Sequence, residues 1–477
     1  MTTEQQLPEG WKIERLGDVI DIQGGSQPPK SEFIYEPMEG YIQLLQIRDF
    51  GENGIPTFVP QNRVTKFCDK DDILIARYGA SLGRIVTGLA GAYNVALAKT
   101  IFDKNLLIKR FVYYLLQTQI FQAPLKMISR SAQNGFAKHE IAHIEIPIPP
   151  LETQQAIVNK IESLFDEIDE GIGRLKTAAQ QIQQYRQSLL KNAFNGELTK
   201  EWRSKHADTL PSENELLAQI QTTREQHHAQ QLANWQTAVS QWEQNGKEGK
   251  KPSKPSTLKK LESIEKLNEI ELTELPNGWF WERLGLMTLG VEYGTSAKSQ
   301  PEGKVPVLRM GNMQNGKIDW TDLVYSDNDE EIKQYSLKKG DVLFNRTNSP
   351  ELVGKTSIIE TDEKAIFAGY LIRINHLTEI TDGRYLTYFL NSMIAKKYGN
   401  FVKTDGVNQS NINGQKLINY PFVFCSLEEQ KEVANILEQK LTACDQLAAE
   451  LAKQLKQAEL LKQAVLKAAF SGSLLDK

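Results

Sequence analysis

Between positions 151 and 195 apolar side chains recur at alternating steps of three and four, with no proline among them. Ile161, Ile168, Leu175, Ile182 and Leu189 form one line; Val158, Phe165, Ile172 and Ala179 form its companion. That seven-residue period predicts a long helix carrying a coiled-coil seam. The pattern returns 276 residues later as Leu437, Cys444, Leu451, Ala458 and Val465, with Ala434, Leu441, Ala448 and Leu455 beside them. About 45 residues at 1.5 Å each make roughly 65–70 Å of helix. An apolar seam on both predicts that they pack on one another. Upstream of each helix the pattern changes to short β-branched and aromatic runs at 41–47, 72–76, 305–309 and 341–345, separated by Gly, Pro and Asn. With helices expected at 110–122 and 384–398, these stretches read as compact α+β domains.

The repetition extends beyond the helices. LPEGWKIERLG at 7–17 returns as LPNGWFWERLG at 275–285, and DDILIAR at 71–77 as GDVLFNR at 340–346. LETQQ at 151 matches LEEQK at 427, and AFNGEL at 193 matches AFSGSL at 469. Four matches in one order, at offsets drifting only from 268 to 276, establish an internal duplication. The chain divides into a globular domain (1–150), a long helix (151–196), a central linker (197–274), a second globular domain (275–426) and a second long helix (427–477). The linker has no counterpart. Its Gln-rich part, 213–244, is expected to be helical, 245–257 is a basic, Pro-containing flexible stretch, and Trp202 is expected to pack the end of the first long helix.

Composition adds limits. The 477 residues exceed one domain, and no apolar run approaches the ~20 residues of a membrane span. Three distant cysteines argue against a disulfide framework and fit a reducing cytoplasm, where the protein is expected. A formal charge of −4 counts at first against a freestanding nucleic-acid binder. However, residues 1–60 hold four Lys or Arg against ten Asp or Glu, a net −6, whereas 61–150 hold twelve against six, a net +6. Such polarity fits a duplex against one face. Cations, amides and aromatics also interleave in loops, the residue types that read guanine and adenine edges. The candidate DNA contacts are Arg77, Tyr78, Arg84, Lys99, Arg130, Asn134 and Lys138 in the first domain. In the second they are Arg309, Asn345, Arg346, Asn348, Lys355, Asn408 and Gln409.

Catalytic motifs fail on inspection. His139-Glu140-Ile141-Ala142-His143 fits the zinc pattern H-E-x-x-H, but Pro147, Pro149 and Pro150 end any helix there, and the second copy has Gln415, Lys416 and Asn419 instead. Val353-Gly354-Lys355-Thr356 has the tail of a P-loop, yet the first glycine of that motif would fall at Ser349. With Leu82-Gly83-Arg84-Ile85 it shares a glycine followed by a cation, suited to a phosphate contact or to a solvated turn. No catalytic residues and no metal site are expected.

Globular domain, long helix, linker, globular domain, long helix resembles the specificity subunit of Type I restriction–modification enzymes. The likeness covers essentially the whole chain and rests on the GW…ERLG openings, the paired strands, IPIPPLETQQ and VFCSLEEQ entering the helices, and KNAFNGELTKEWR and KAAFSGSL closing them. It implies an α+β fold of two target recognition domains, with the helices in an antiparallel, pseudo-twofold coiled coil. The implied function is non-enzymatic: each domain reads half of an asymmetric, two-part double-stranded DNA target, and the helices set the gap. Implied partners are two methyltransferase subunits using S-adenosylmethionine and two restriction–translocase subunits using ATP and Mg. No cofactor is expected in this chain. A competing reading, favoured by the near-neutral charge, is a protein-binding scaffold that does not touch DNA.

Overall fold

The computed structural model describes residues 7–51, 54–131, 135–249, 251–255, 257–258, 264 and 272–475, and at 128–131 the backbone alone. Compactness divides the chain differently from its linear order. One unit takes residues 1–178 with 450–477 and the other takes 179–449, so both boundaries fall inside long helices. Those helices form where the heptads place them, Leu151–Phe194 and Leu427–Phe470, 44 residues each. Every seam position is buried or half-buried, whereas Leu447, Leu460 and Leu461, off the seam, are mostly exposed.

In the first unit, strands Ile20–Gly24, Leu97–Phe102, Leu74–Ala76 and Ile85–Val86 make one antiparallel sheet in that order. A second sheet runs Phe58–Pro60, Tyr41–Leu45, Gly91–Tyr93, Phe67–Cys68. Strands Lys12–Arg15 and Glu145–Ile148 pair and lead the chain into the long helix. The core joins Phe111, Leu115 and Phe121 to Ile157 and Ile161 from one long helix and to Val465, Leu466 and Phe470 from the other. Lys462 Nζ meets Asp169 at 2.5 Å between the two helices.

The second unit repeats this plan. Thr288–Tyr293, Leu371–His376, Val342–Asn345 and Thr356–Ile358 form the four-stranded sheet, Val324–Ser326, Val305–Leu308 and Ile366–Phe367 the second, and Phe280–Arg283 pairs with Pro421–Phe424. Here Phe194 and Leu189 of the first long helix share a core with Val433 and Leu437 of the second, and Arg186 pairs with Asp445. The linker helix, Glu213–Gln244, starts at a Ser212–Glu215 capping box and adds Leu216 and Ile220 to that core.

The helices expected at 110–122 and 384–398 are each broken in two. Lys109–Leu115 is followed by Gln119–Ser131, and Gly383–Leu390 by Met393–Val402. A hydroxyl sits at each break. Thr118 Oγ1 donates to the Leu115 carbonyl at 2.6 Å, and Ser392 Oγ caps the next helix by accepting from the Ala395 N–H. Trp202 stacks on His206, 4.2 Å between centroids, one turn along its own short helix. Its neighbour Arg203 is the residue that packs, bonding the buried Glu429 at 2.9 Å over the Trp279 ring.

The repeated sequence landmarks meet each other in space. In the second unit Phe194, closing one long helix, packs edge-on to Tyr385 and Phe389 at 5.3 and 5.1 Å. In the first, Phe470 packs on Phe111 at 5.0 Å. The glycine two residues on has φ of +80° at Gly196 and +83° at Gly472, the left-handed turn that ends a helix. A Cβ there would strike Pro276 at 2.5 Å or Pro8 at 2.3 Å. AF-x-G therefore docks on the LP-x-GW opening of the opposite repeat, which is why both strings recur.

Candidate nucleic-acid interface

Each unit builds its candidate surface where the central strand of the four-stranded sheet ends. Strand Leu74–Ala76 delivers Arg77, whose guanidinium donates to the Phe136 carbonyl (Nη2 3.1 Å) and lies over the Tyr78 ring at 5.3 Å. Tyr78 is exposed, and Gly135 backs it so closely that a Cβ would meet its ring at 2.4 Å. The chain then turns through Gly83, φ +79°, into Ile85–Val86. In the second unit Val342–Asn345 delivers Arg346, which donates to Gly369 and lies over Tyr293 at 5.0 Å, and the hairpin turns at Gly354, φ +91°. The shared glycine is thus the hairpin's left-handed residue. The cation after it reaches a backbone carbonyl: Arg84 Nη2 that of Phe50 at 2.7 Å, Lys355 Nζ that of Met313 at 3.5 Å.

Three of the second unit's amide candidates come together. Thr347–Asn348 pairs with Ser410–Asn411, which pairs with Thr404–Asp405. This ribbon carries Asn348 and, at its exposed tip, Asn408 and Gln409 beside Val407, which is 100% exposed. Asn411 Nδ2 braces it by donating to Thr347 Oγ1 at 2.8 Å. The first unit's candidate Asn134 lies outside the described residues, as does the side chain of Arg130.

Other candidates are engaged inside the fold. Lys99 Nζ holds Asp72 at 2.8 Å across neighbouring strands, and Arg373 Nη1 holds Asp341 at 3.2 Å in the second unit. This is one ion pair, repeated. Burial works to raise the Asp72 carboxyl, but hydrogen bonds from Lys99 and the Asp69 N–H outweigh it and hold the group below its ordinary value. Lys138 pairs with Asp21, and Arg309 with Asp322. Asn345 is 0% exposed, its Oδ1 accepting from the Thr347 N–H at 3.3 Å; its short side chain points into the sheet and presents nothing to a groove.

The charge polarity softens for the same reason. Arg63 pairs with Glu32 and Lys138 with Asp21, so cations of 61–150 neutralise carboxylates of 1–60, and Lys109 and Arg110 meet Asp71 and Glu162. His139 and His143 are exposed, and among the described residues no group of three metal-ligating side chains occurs. Cys68, Cys425 and Cys444 are free and buried; burial pushes the Cys68 thiol up to about 11.

Sequence reading missed two features. Gln154 and Gln430 are 0% exposed at the start of the long helices. Gln154 accepts from the Ile108 N–H at 2.9 Å and donates to the carbonyls of Leu106 and Pro149, both at 2.9 Å. Gln430 does the same with Asp382, Ile380 and Cys425 at 3.0, 3.0 and 2.9 Å. The signal was present, since both lie in matched strings at one offset. Tyr293 beneath Arg346 had none, because the first copy has Gly24 there.

A family model described as the Type I restriction modification DNA specificity domain matches residues 8–176 and 293–457. The chain is 25% identical to the Type I restriction enzyme EcoKI specificity subunit of Escherichia coli strain K12, over 98% of this chain and 90% of that one. It is 21% identical to the StySPI specificity subunit of Salmonella potsdam over the same shares. A chain solved in work on assembly and conformational transition of the type I R-M system aligns with TM-score 0.67 at 17% identity, over 98% of this chain and 99% of that one. The HsdS subunit from Thermoanaerobacter tengcongensis aligns with TM-score 0.52 at 17% identity, over 98% of both chains. These two share the fold. Since the model matches both repeats and most of the chain, the protein belongs to the Type I restriction–modification DNA specificity family.

Proposed function

We propose that this chain is the DNA-reading subunit of a Type I restriction–modification complex. Each recognition domain reads one half of an asymmetric, two-part duplex target. The long helices run antiparallel as a pseudo-twofold coiled coil, set the unread gap, and dock two methyltransferase subunits that bring S-adenosylmethionine. Two restriction–translocase subunits, using ATP and Mg, join for cleavage, and the complex works in the cytoplasm. One observation carries the reading: the two units repeat their interior bonds while their rims differ. Asp72–Lys99 and Asp341–Arg373 are the same pair, as are the Gln154 and Gln430 clamps. Above them Arg77 lies over Tyr78, whereas Arg346 lies over Tyr293 beside an amide-rich ribbon. A common scaffold with divergent loops suits two readers of different half-sites. The ion pairs Asp169–Lys462 and Arg186–Asp445 suit an antiparallel register.

Mapping methylated bases in a host carrying this chain with its methyltransferase tests the proposal. One two-part, non-palindromic motif is expected; a palindrome or no motif rejects it. Deleting one heptad from both helices shortens each by about 10 Å. The gap should then contract by about three base pairs, with the half-sites unchanged. The scaffold alternative predicts no gel shift on any duplex even with the methyltransferase present.

A further inference from the structure

The linker helix, absent from the second repeat, carries an arginine in an unusual setting. Arg224 is 7% exposed, and its Nε is sealed from solvent with no hydrogen-bond partner among the described residues. Burial alone displaces its guanidinium, downward from the ordinary arginine value. Two half-buried arginines of this unit meet anions, Arg203 with Glu429 and Arg373 with Asp341 and Glu292, and the buried Arg283 donates to the Asn419 carbonyl at 2.7 Å. A buried cation without a counter-charge is costly, and folds retain one where something supplies the charge.

Arg224 lines a cavity of about 720 Å³ within the second unit. Gln231 and Asn234 follow it on the same helix face, while Thr288, Gly290 and Tyr293 form part of the opposite wall. Among the described residues no Asp or Glu lines it. A buried guanidinium, His228 and hydrogen-bonding amides and hydroxyls, with no carboxylate among the described lining, make a site that favours an anion. The geometry also separates it from duplex reading: backbone phosphates sit on a wide rod and need cations at the surface, whereas Arg224 is set within a wall.

We propose that this cavity binds a small phosphate-bearing anion of up to nucleotide size, with Arg224 as the counter-charge in its wall and the exposed Gln231 and Asn234 amides as further donors. The bound anion would link the linker helix to the second recognition domain. The inference does not rest on the DNA reading proposed above, although Tyr293 borders both the cavity and the Arg346 surface.

Calorimetry and thermal unfolding of the full chain test it, with pyrophosphate and metal-free ATP as probes. Saturable binding of either probe and a raised Tm are expected. Arg224→Gln should weaken binding about tenfold or more, while the unliganded variant unfolds no earlier than wild type, because an uncompensated charge has been removed. Gln231→Ala, on the exposed rim, should weaken binding with unliganded stability unchanged. The proposal is overturned if neither probe binds, if Arg224→Gln binds equally well, or if that variant is markedly less stable without ligand, which would reveal an internal partner. Displacement of bound ATP by a DNA duplex would also overturn it, by assigning Arg224 to the DNA surface.

Discussion

Replacing Gln154 with Met keeps the side chain's length and removes its amide. The substitution strips a partner from the Ile108 N–H and from the Leu106 and Pro149 carbonyls, bonds of 2.9 Å around a side chain that is 0% exposed. Each buried group left unpaired costs about 1–3 kcal/mol, with carbonyls at the lower end, so the loss should total about 3–5 kcal/mol. That is a large share of the ~5–15 kcal/mol by which domains are stable. A chain of two units need not unfold in one step, so a single midpoint would misreport the effect. Native-state hydrogen exchange is the better assay. Protection of the Ile108 amide should collapse in Gln154→Met, and that of Asp382 in Gln430→Met, each change confined to its own unit. Gln154→Glu should fail too, because a carboxylate can accept from Ile108 but cannot donate to two carbonyls. Retained protection at Ile108, or a cost below about 1 kcal/mol, would refute the idea that this glutamine fastens recognition domain to helix.

Three further outcomes are expected. A Cβ on Gly25 or Gly294 would sit 2.2 Å from the carbonyl oxygen of Asn94 or Phe367, so either Gly→Ala variant should lose about 3 kcal/mol, read by thermal unfolding. The Asp72 carboxyl lies below its ordinary value, so its contribution is present above the unfolded value of about 4 and is lost as pH falls through the lower folded one; Asp72→Asn should flatten acid unfolding in that window, and an unchanged profile counts against the pair. Finally, Arg77→Lys and Arg346→Lys keep charge but lose the planar fork over Tyr78 and Tyr293, so each should relax selectivity at one half-site of the methylated motif and leave the other intact.

The long helices start where the seven-residue period places them, at Leu151 and Leu427, because that period is a local signal; they end at Phe194 and Phe470, before the expected 196 and 477, where a left-handed glycine follows each. The duplication was legible because landmarks survive where they pack. Breaks at Thr118 and Ser392 were not, since one hydroxyl bonding a nearby backbone group leaves the apolar pattern undisturbed. The site candidates divided by sequence distance. Arg77 and Arg346 follow strands and emerge at their ends, as local reasoning expects. Lys99 and Lys138 read equally well as cations for DNA, but strand pairing sets Lys99 against Asp72, and Lys138 reaches Asp21 from the far end of the domain. Charge counted along a chain cannot anticipate such pairs. Asn345 shows the same limit at shorter range, since strand alternation left open which of Asn345 and Arg346 faces inward.

These engaged residues sharpen the division between scaffold and reader. Four interior devices recur in both units: the Asp–cation pair across adjacent strands, the glutamine clamp, the glycine pressed on a carbonyl, and the left-handed hairpin glycine. Each braces the sheet or its junction with the long helix, and none depends on what the loops carry. Differences gather at the ends of those elements, where Gly24 in one copy answers to Tyr293 in the other and an amide ribbon stands above Arg346. A loop projecting from a backbone held this way can change its exposed side chains without the sheet responding, because the bonds that hold the sheet lie beneath it. Two copies of one domain can therefore diverge in what they touch while each remains fastened to its helix by the same glutamine, and the helices hold a fixed length between landmarks whichever loops they carry.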